Sequence, residues 1–364
     1  MRLLLMLMIA SAGWAATPPQ VTRSQAERDV TDAHLMSLDS AARVERGLAL
    51  LNRYPDDIPA GKEIQIAVAK LLPDARGYFR ERYERLNSAT SFYLYARAEN
   101  FEIPEELASE WVTKEPNNSF LWLCYMAVEW HKTEPDPAIV RERIEQSIVV
   151  DPSRPEGYNF LGMFYDEQGD RVQARAAYES ALACDPADDA VRSRLLDLYL
   201  SLRDAQAYFA LINGVIPEQP LDVELATIGS SDRSIGPLDF RGQVSLLVYW
   251  SMGSEICINT SLVEINKAIG EDRIKWPVYA VHVGGDSTDA EGLISETDRN
   301  GTKWRVNFVE SATALDVNLN TPHHPCVYVV GADGYVHALV HGKGHEADLI
   351  DTVIWLSEQV QAGM

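Results

Sequence analysis

The chain has 364 residues, of which 46% are hydrophobic and 24% are charged, so it is long enough for two globular domains with buried cores. Its formal net charge is -22 at pH 7, and a surface this acidic repels the phosphate backbone of nucleic acids and anionic lipid headgroups. We therefore expect a soluble protein without a nucleic-acid partner.

The N-terminus has the pattern of a secretory signal. Met1 and Arg2 precede an apolar run from Leu3 to Ala10, and the small residues Gly13 and Ala15 favour cleavage after Ala15. The run is shorter than the about 20 residues that span a bilayer. We predict that residues 1–15 are removed on export to the periplasm or the cell exterior, with no membrane insertion afterwards. A buried N-terminal helix is the alternative.

The four cysteines are Cys124, Cys184, Cys257 and Cys326. Disulfides persist after export, but four cysteines allow three pairings and the sequence does not choose among them. One bridge in each half of the chain, Cys124–Cys184 and Cys257–Cys326, is geometrically simplest. Free buried thiols at Cys124 and Cys184 are an equal alternative.

The first half contains a helical repeat, clearest between Pro155 and Pro186. Its first helix carries one apolar face at a spacing of i, i+3, i+4 and i+7, formed by Tyr158, Leu161, Gly162 and Tyr165. Gly169 and Asp170 then predict a break and a new helix cap. The second helix carries the facing stripe of Ala174, Tyr178, Ala181 and Leu182.

This unit resembles the tetratricopeptide repeat (TPR), and the pair Asp151-Pro152 precedes Asp185-Pro186 by the family's period of 34 residues. Weaker units upstream and a final capping pair extend the array over residues 22–215. The resemblance implies an all-α helical solenoid with a concave groove that binds a protein or peptide partner. An array that only packs against the second domain is the alternative.

The second half changes to short strands separated by helices. A linker is expected at residues 216–228 and an α/β domain at residues 229–362. The predicted strands are Val244–Trp250, Val278–Val283, Val327–Val330 and Tyr335–Val340, with helices at Ser254–Gly270 and His345–Gln361. The turn Ala332-Asp333-Gly334 joins the last two strands as a hairpin.

The order of motifs resembles the thioredoxin fold, and most closely its exported redoxin branch. The segment Phe240-Arg241-Gly242-Gln243-Val244 leads into a strand that ends at Tyr249-Trp250. Further along the chain, His324-Pro325-Cys326 precedes the last hairpin. The resemblance implies that Pro325 is the family's cis-proline and that Trp250, His324 and Pro325 form a peptide-binding edge. The predicted fold class is therefore multidomain, a TPR-like helical solenoid followed by an α/β thioredoxin-like domain.

The active-site turn departs from the family pattern. Ser254 occupies the place of the first, attacking cysteine, and Cys257 occupies that of the second. A serine hydroxyl is un-ionised near neutral pH and cannot replace a thiolate in disulfide exchange. Val248 replaces the buried carboxylate of many thioredoxins, and Gly253 replaces the usual tryptophan. These substitutions predict that ordinary dithiol turnover is lost.

The remaining thiols leave several hypotheses open. Cys257 is a single reactive thiolate, an inert buried thiol, or one half of a bridge with Cys326. A zinc or copper site formed by Cys257, His324 and Cys326 matches no known spacing, and His337 and His341 are too far apart on a strand to chelate together. We expect no metal and no cofactor.

The leading hypothesis is an exported, partner-binding TPR protein whose thioredoxin-like domain is degenerate. The alternative is a redox enzyme of the cell envelope, a thiol-disulfide oxidoreductase or thiol peroxidase, with Cys257, Ser254 and Cys326 as candidate catalytic residues. A purely structural array in an envelope complex is a third hypothesis. Oligomeric state and the identity of the partner are open.

Overall fold

The computed structural model describes residues 18–213, 216, 221, 223–228, 234–250, 261–282, 304–311, 326–341 and 348–363. The chain divides into two compact units between Leu195 and Leu196. The predicted signal at residues 1–15 and the predicted site residues Ser254, Cys257, His324 and Pro325 lie outside the described residues.

The helical part begins at α1 and runs to α12. The bounds are α1 Gln25–Asp32, α2 Ser40–Arg53, α3 Ile58–Val68, α4 Ala75–Leu86, α5 Ala89–Ala98, α6 Glu105–Lys114, α7 Ser119–Trp130, α8 Pro137–Val150, α9 Pro155–Glu167, α10 Arg171–Cys184, α11 Asp189–Leu202 and α12 Ala205–Ile212. The predicted repeat at Pro155–Pro186 is confirmed as the helix pair α9 and α10.

Short polar side chains start many of these helices. The N-cap carboxylates of Asp57, Asp136, Asp170 and Asp204 accept backbone hydrogen bonds in the first turns of α3, α8, α10 and α12. Such caps satisfy amide groups that have no partner within the helix. Gly169 has a φ of +75°, which a glycine adopts without strain, so the predicted break before Asp170 is confirmed.

The pair α9 and α10 depends on one small residue. A Cβ atom at Gly162 would lie 2.5 Å from ring atoms of Tyr178, which is fully buried on the facing helix. Ala174 and Ala181 are also fully buried on α10. The close approach of the two helices therefore requires the small residues that the repeat pattern places there.

Aromatic rings fill the core of the earlier repeats. Phe92 stacks on Trp111 with 5.3 Å between ring centroids, and Tyr83 stacks on Tyr95 at 5.2 Å. These residues come from α4, α5 and α6, so one cluster joins three consecutive helices. The upstream units, degenerate in sequence, are therefore packed helices.

Within the residues that the structure describes, the second unit forms one sheet of seven strands. They are β1 Leu225–Thr227, β2 Ser234–Ile235, β3 Ser245–Trp250, β4 Val278–His282, β5 Asn307–Ser311, β6 Cys326–Val330 and β7 Val336–His341. The strand order is β2-β1-β5-β4-β3-β6-β7. Strands β3, β4 and β5 are parallel, whereas β6 is antiparallel to both β3 and β7.

Two helices of this unit follow the sheet strands in sequence, α13 at Val263–Gly270 and α14 at Leu349–Ala362. Helix α13 confirms the second half of the predicted Ser254–Gly270 helix, and the first residues of that prediction lie outside the described part of the chain. A parallel β-α-β unit followed by an antiparallel hairpin and a helix is the predicted arrangement. The fold class is therefore confirmed as a TPR-like helical part followed by a thioredoxin-like α/β part.

The sheet begins earlier in the chain than the sequence pattern predicts. Within the expected linker at residues 216–228, Leu225–Thr227 forms β1, which pairs with both β2 and β5. The reason is burial, because Leu221, Val223 and Leu225 are all buried. Three apolar residues alternating with polar ones indicate a strand with one buried face.

The final helix pair also differs from its predicted role as a cap of the array. Helix α12 belongs to the second unit and packs on β7. The hydroxyl of Tyr208 accepts a hydrogen bond from the Leu339 amide at 2.9 Å and donates one to the Leu339 carbonyl at 2.7 Å. Strand β7 is an edge of the sheet, so these backbone groups need a partner from outside it.

Candidate functional site

The described residues nearest in sequence to the predicted redox site are Trp250 and Cys326, each at the end of a strand. Trp250 pairs with His282 where the parallel strands β3 and β4 end, and Tyr249 pairs with Cys326 where β6 begins. Ligands of α/β sheets bind outside the carboxyl ends of parallel strands. In the sequence, Ser254 and Cys257 follow β3 and Pro325 precedes Cys326, but these three residues lie outside the described part of the chain.

Trp250 is a core residue in the structure. Its side chain is fully buried, with its rings 4.9 Å from those of His282 and 5.9 Å from Phe308 between centroids. Its indole Nε1 is buried and has no hydrogen-bond partner within the described part of the chain. The ring therefore packs in the core at the end of β3. Its burial disfavours the predicted role of Trp250 as part of an exposed peptide-binding edge.

Cys326 is a fully buried free thiol. Burial raises its pKa well above the ordinary value of a thiol, and a side-chain hydrogen bond with Tyr328 only partly opposes this. The thiolate is the reactive form of cysteine. At neutral pH the Cys326 thiol is therefore protonated and unsuited to attack a disulfide.

The strand register separates two of the predicted residues. Side chains alternate between the faces of a strand, and paired residues on neighbouring strands share a face. Cys326 pairs with Tyr249, so it shares a face with Tyr249, whereas Trp250 points to the other face. The structure therefore does not bring Trp250 and Cys326 together.

The described cysteines of the helical unit and the described histidines form neither a disulfide nor a metal site. Cys124 and Cys184 are free, buried thiols, so the Cys124–Cys184 bridge is not formed in the structure. His337 binds the carboxylate of Asp333 at 2.9 Å, in the hairpin between β6 and β7. Among the residues that the structure describes, no three histidine, cysteine or acidic side chains cluster closely enough to hold a metal ion.

A second candidate site lies in the helical unit. A cavity of about 520 Å³ opens where α3, α7 and α9 begin. It is lined by Asp56, Asp57, Ile58, Pro59, Lys114, Glu115, Pro116, Asn117, Asn118, Ser119, Phe120, Asp151 and Arg154. The turns at Glu115-Pro116 and Asp151-Pro152 lead into α7 and α9 at its rim. The sequence pattern showed no sign of the cavity, because the cavity brings together helix starts that are distant in the chain.

The charges around this cavity are mixed and mainly acidic. Four carboxylates line it, from Asp56, Asp57, Glu115 and Asp151, against the cations Lys114 and Arg154. The N-caps Asn118 and Arg154 make no side-chain capping bond, whereas Asp57 caps α3. The cavity therefore combines acidic side chains with two helix starts that have no side-chain cap.

Two ion pairs join distant helices, one of them through the cavity residue Arg154. Arg154 donates to Glu27 at 2.8 Å, and Lys62 donates to Glu156 at 2.9 Å. Burial alone would lower the pKa of Lys62, but Glu156 and nearby groups outweigh it and raise that pKa. Both pairs connect the first helices of the array, α1 and α3, to α9.

No protein-family model and no curated protein matches the sequence. Solved structures match each part of the chain separately. A TPR protein of Thermus thermophilus is 18% identical and covers 48% of this chain and 89% of its own, with a TM-score of 0.35.

The second part is similar to two other solved structures. A thioredoxin-like protein of Porphyromonas gingivalis is 20% identical, covers 40% of this chain and 94% of its own, and has a TM-score of 0.31. A secreted disulfide oxidoreductase of Mycobacterium tuberculosis, homologous to E. coli DsbE, is 13% identical, covers 38% and 98%, and has a TM-score of 0.30. No helix in the described residues is long and apolar enough to cross a membrane.

Proposed function

We propose that the chain is an exported partner-binding protein, in which the helical unit holds a protein or peptide and the thioredoxin-like unit no longer turns over dithiols. The observation that carries this proposal is the state of Cys326. It is the one cysteine of the second unit that the structure describes, and it is buried with a raised pKa. With Ser254 in place of the attacking cysteine, Cys257 is the only remaining thiol for chemistry in that unit.

A single thiol cannot complete a disulfide reduction. Its thiolate attacks a disulfide, forms a mixed disulfide and releases one thiol. A second thiolate must then attack the mixed disulfide to release the other. Cys326 is unsuited to this second step because its thiol stays protonated. The degenerate domain therefore serves as a binding surface in this proposal, with turnover lost.

The cavity at the starts of α3, α7 and α9 is the proposed partner site. Its volume of about 520 Å³ is within the range of ligand pockets. Its four carboxylates favour a partner segment that carries basic side chains. Export of the chain is part of the same proposal, supported by the sequence pattern at residues 1–15.

The test uses pre-reduced protein, freed of excess reductant, and a model peptide disulfide. We expect the wild type to release no more than one thiol per chain and to stop at a mixed disulfide, measured by thiol titration and intact mass. The Ser254→Cys variant should release two thiols and form an internal disulfide. Adding Cys257→Ser to that variant should abolish the second release and is the matched control.

The redox alternative makes the opposite prediction. If the wild type releases two thiols per chain, and Cys257→Ser or Cys326→Ala removes this activity, the unit is a working oxidoreductase. A wild type that turns over peroxide through Cys257 would equally contradict the proposal.

A further inference from the structure

The segment before α1 contacts the far end of the helical unit. The amide of Val21 donates to the carbonyl of Cys184 at 2.9 Å, and the guanidinium of Arg23 pairs with Asp185 at 2.8 Å. Cys184 and Asp185 end α10, so these contacts join chain positions about 160 residues apart. The start of the array is therefore fastened to a late repeat.

The next residues contact two side chains that line the cavity. The hydroxyl of Ser24 donates to Asp57 at 2.6 Å, and the carboxylate of Glu27 accepts from Arg154 at 2.8 Å. Asp57 and Arg154 are both cavity residues. We call residues Val21–Glu27 the strap, since their contacts connect the end of α10 with the cavity residues Asp57 and Arg154.

Polar contacts hold the strap more than apolar burial does. Thr22 and Arg23 are exposed, and Val21 and Ser24 are only half-buried. The first buried apolar residue is Ala26, on α1 itself. Hydrogen bonds and ion pairs at a surface exchange readily with water and are screened by salt, whereas apolar contacts are not. The polar contacts of Val21–Ser24 and of the Glu27 side chain can therefore break while the buried residues Ala26 and Val30 keep α1 packed.

We propose that the strap is a detachable latch, which occupies the cavity side chains Asp57 and Arg154 when fastened and frees them for a partner when released. This inference rests on the proposed function insofar as the cavity is the partner site. The strap residues bind Asp57 and Arg154 as an incoming segment would, so a partner that reaches these side chains competes with the strap. Partner binding and strap release are then coupled.

Cys184 supplies a natural reporter of strap release. It is fully buried, and its backbone carbonyl accepts a hydrogen bond from the amide of Val21. Its thiol lies 3.7 Å from the carbonyl of Pro152, two residues before Arg154 in the chain. Cys124 is also fully buried, on α7 of the same unit. It provides an internal control for general loosening of the fold.

The experiment follows alkylation of Cys184 and Cys124 by N-ethylmaleimide in the full chain, and hydrogen exchange of the Val21 amide. The variant Arg23→Gln/Glu27→Gln removes both strap charges, and glutamine at position 27 keeps a side chain able to complete the capping box of α1. We expect Cys184 alkylation and Val21 exchange to rise about tenfold, and Cys124 alkylation to stay unchanged. In the wild type, 0.5 M NaCl should act in the same direction.

Glu99→Gln is the matched control, because Glu99 pairs with Arg80 elsewhere in the same unit. It should leave all three rates unchanged. The latch is contradicted if the double variant leaves Cys184 alkylation and Val21 exchange at wild-type rates, or if Cys124 accelerates equally. The assay needs neither a partner nor redox activity. A negative result therefore contradicts the latch and not the proposed function, and a negative result in the redox test contradicts the proposed function and not the latch.

Discussion

Tyr208 joins a helix to the edge of the sheet through a single oxygen atom. The hydroxyl serves both the amide and the carbonyl of Leu339 and is fully buried. A buried backbone group without a partner costs free energy comparable to a lost hydrogen bond. One phenol oxygen therefore satisfies two groups that the edge strand β7 leaves open.

We predict that Tyr208→Phe destabilises the second unit. The phenylalanine keeps the ring packing but leaves the Leu339 amide and carbonyl unpaired, so the free energy of unfolding should fall by about 1–3 kcal/mol. Urea denaturation measures this change. Tyr335→Phe, at a half-buried position near the start of β7, should cost under about 0.5 kcal/mol. An equal loss of unfolding free energy in the two variants would contradict the role of the Tyr208 hydroxyl.

At the scale of elements, a charged network ties α6, α7 and α8 together. Arg143 on α8 donates to Glu105 on α6 at 2.6 Å and lies 3.3 Å above the ring of Tyr125 on α7. Lys132 pairs with both Glu105 and Glu129. The network thus contains two cations, Lys132 and Arg143, and two carboxylates. One of these carboxylates, Glu129, is only 3% exposed. Buried charges need such partners.

This network predicts a dependence of stability on pH. Hydrogen bonds from Lys132, and then from Arg143, lower the pKa of Glu105 from 4.5 to about 2. A lowered pKa in the folded state adds stability above the unfolded value, and this is lost as pH falls from about 4.5 towards 2. Between pH 6 and pH 3 the wild type should therefore lose more stability than Glu105→Gln.

Urea unfolding of the two proteins at both pH values measures the difference. Glu106→Gln, an exposed neighbour on the same helix, should behave like the wild type. An equal loss of stability in the wild type and Glu105→Gln would contradict the role of Glu105.

At the scale of the whole molecule, the cavity is the test of partner binding. Asn117 is an exposed residue of its lining, so Asn117→Trp should fill part of the space without disturbing the core. We expect the immobilised wild type to retain a specific protein from an envelope extract of the source organism, and Asn117→Trp to retain at least about tenfold less, a loss the size of a single interface hot spot. Retention is measured by quantitative mass spectrometry.

The control variant is Val172→Ala, whose side chain is 73% exposed and lies away from the cavity. It should retain the same protein as the wild type. If Asn117→Trp and Val172→Ala retain it equally, the cavity is not the partner site.

Local patterns predicted most of the elements, because they depend on neighbours in sequence. The apolar face of Tyr158, Leu161 and Tyr165, and the break at Gly169-Asp170, define α9 and α10 through the helical period and a cap. The apolar runs of β3, β4 and β6 were likewise predicted within one or two residues. The strands β1, β2 and β5 were not predicted: β1 lies in a segment interpreted as a linker despite its alternating apolar residues, and β2 and β5 are short strands without a long apolar run.

The site was less predictable because its chemistry depends on burial. Cys326 has the same sequence context whether its thiol is exposed or enclosed, and only its burial in the folded chain raises its pKa. Trp250 likewise follows a familiar motif, yet the structure encloses it between His282 and Phe308. Ser254, Cys257, His324 and Pro325 lie outside the described residues, so their roles stay predictions.

The sequence by itself determined the two-part architecture, the repeat period and the exchange of sulfur for oxygen at position 254, since these are properties of residue identity and spacing. Only the tertiary structure decided that α12 belongs to the sheet, that Val21–Glu27 reaches α10, and that a cavity opens at three helix starts. Each of these joins residues distant in the chain, and local periodicity carries no information about which distant groups will satisfy one another's hydrogen bonds and charges.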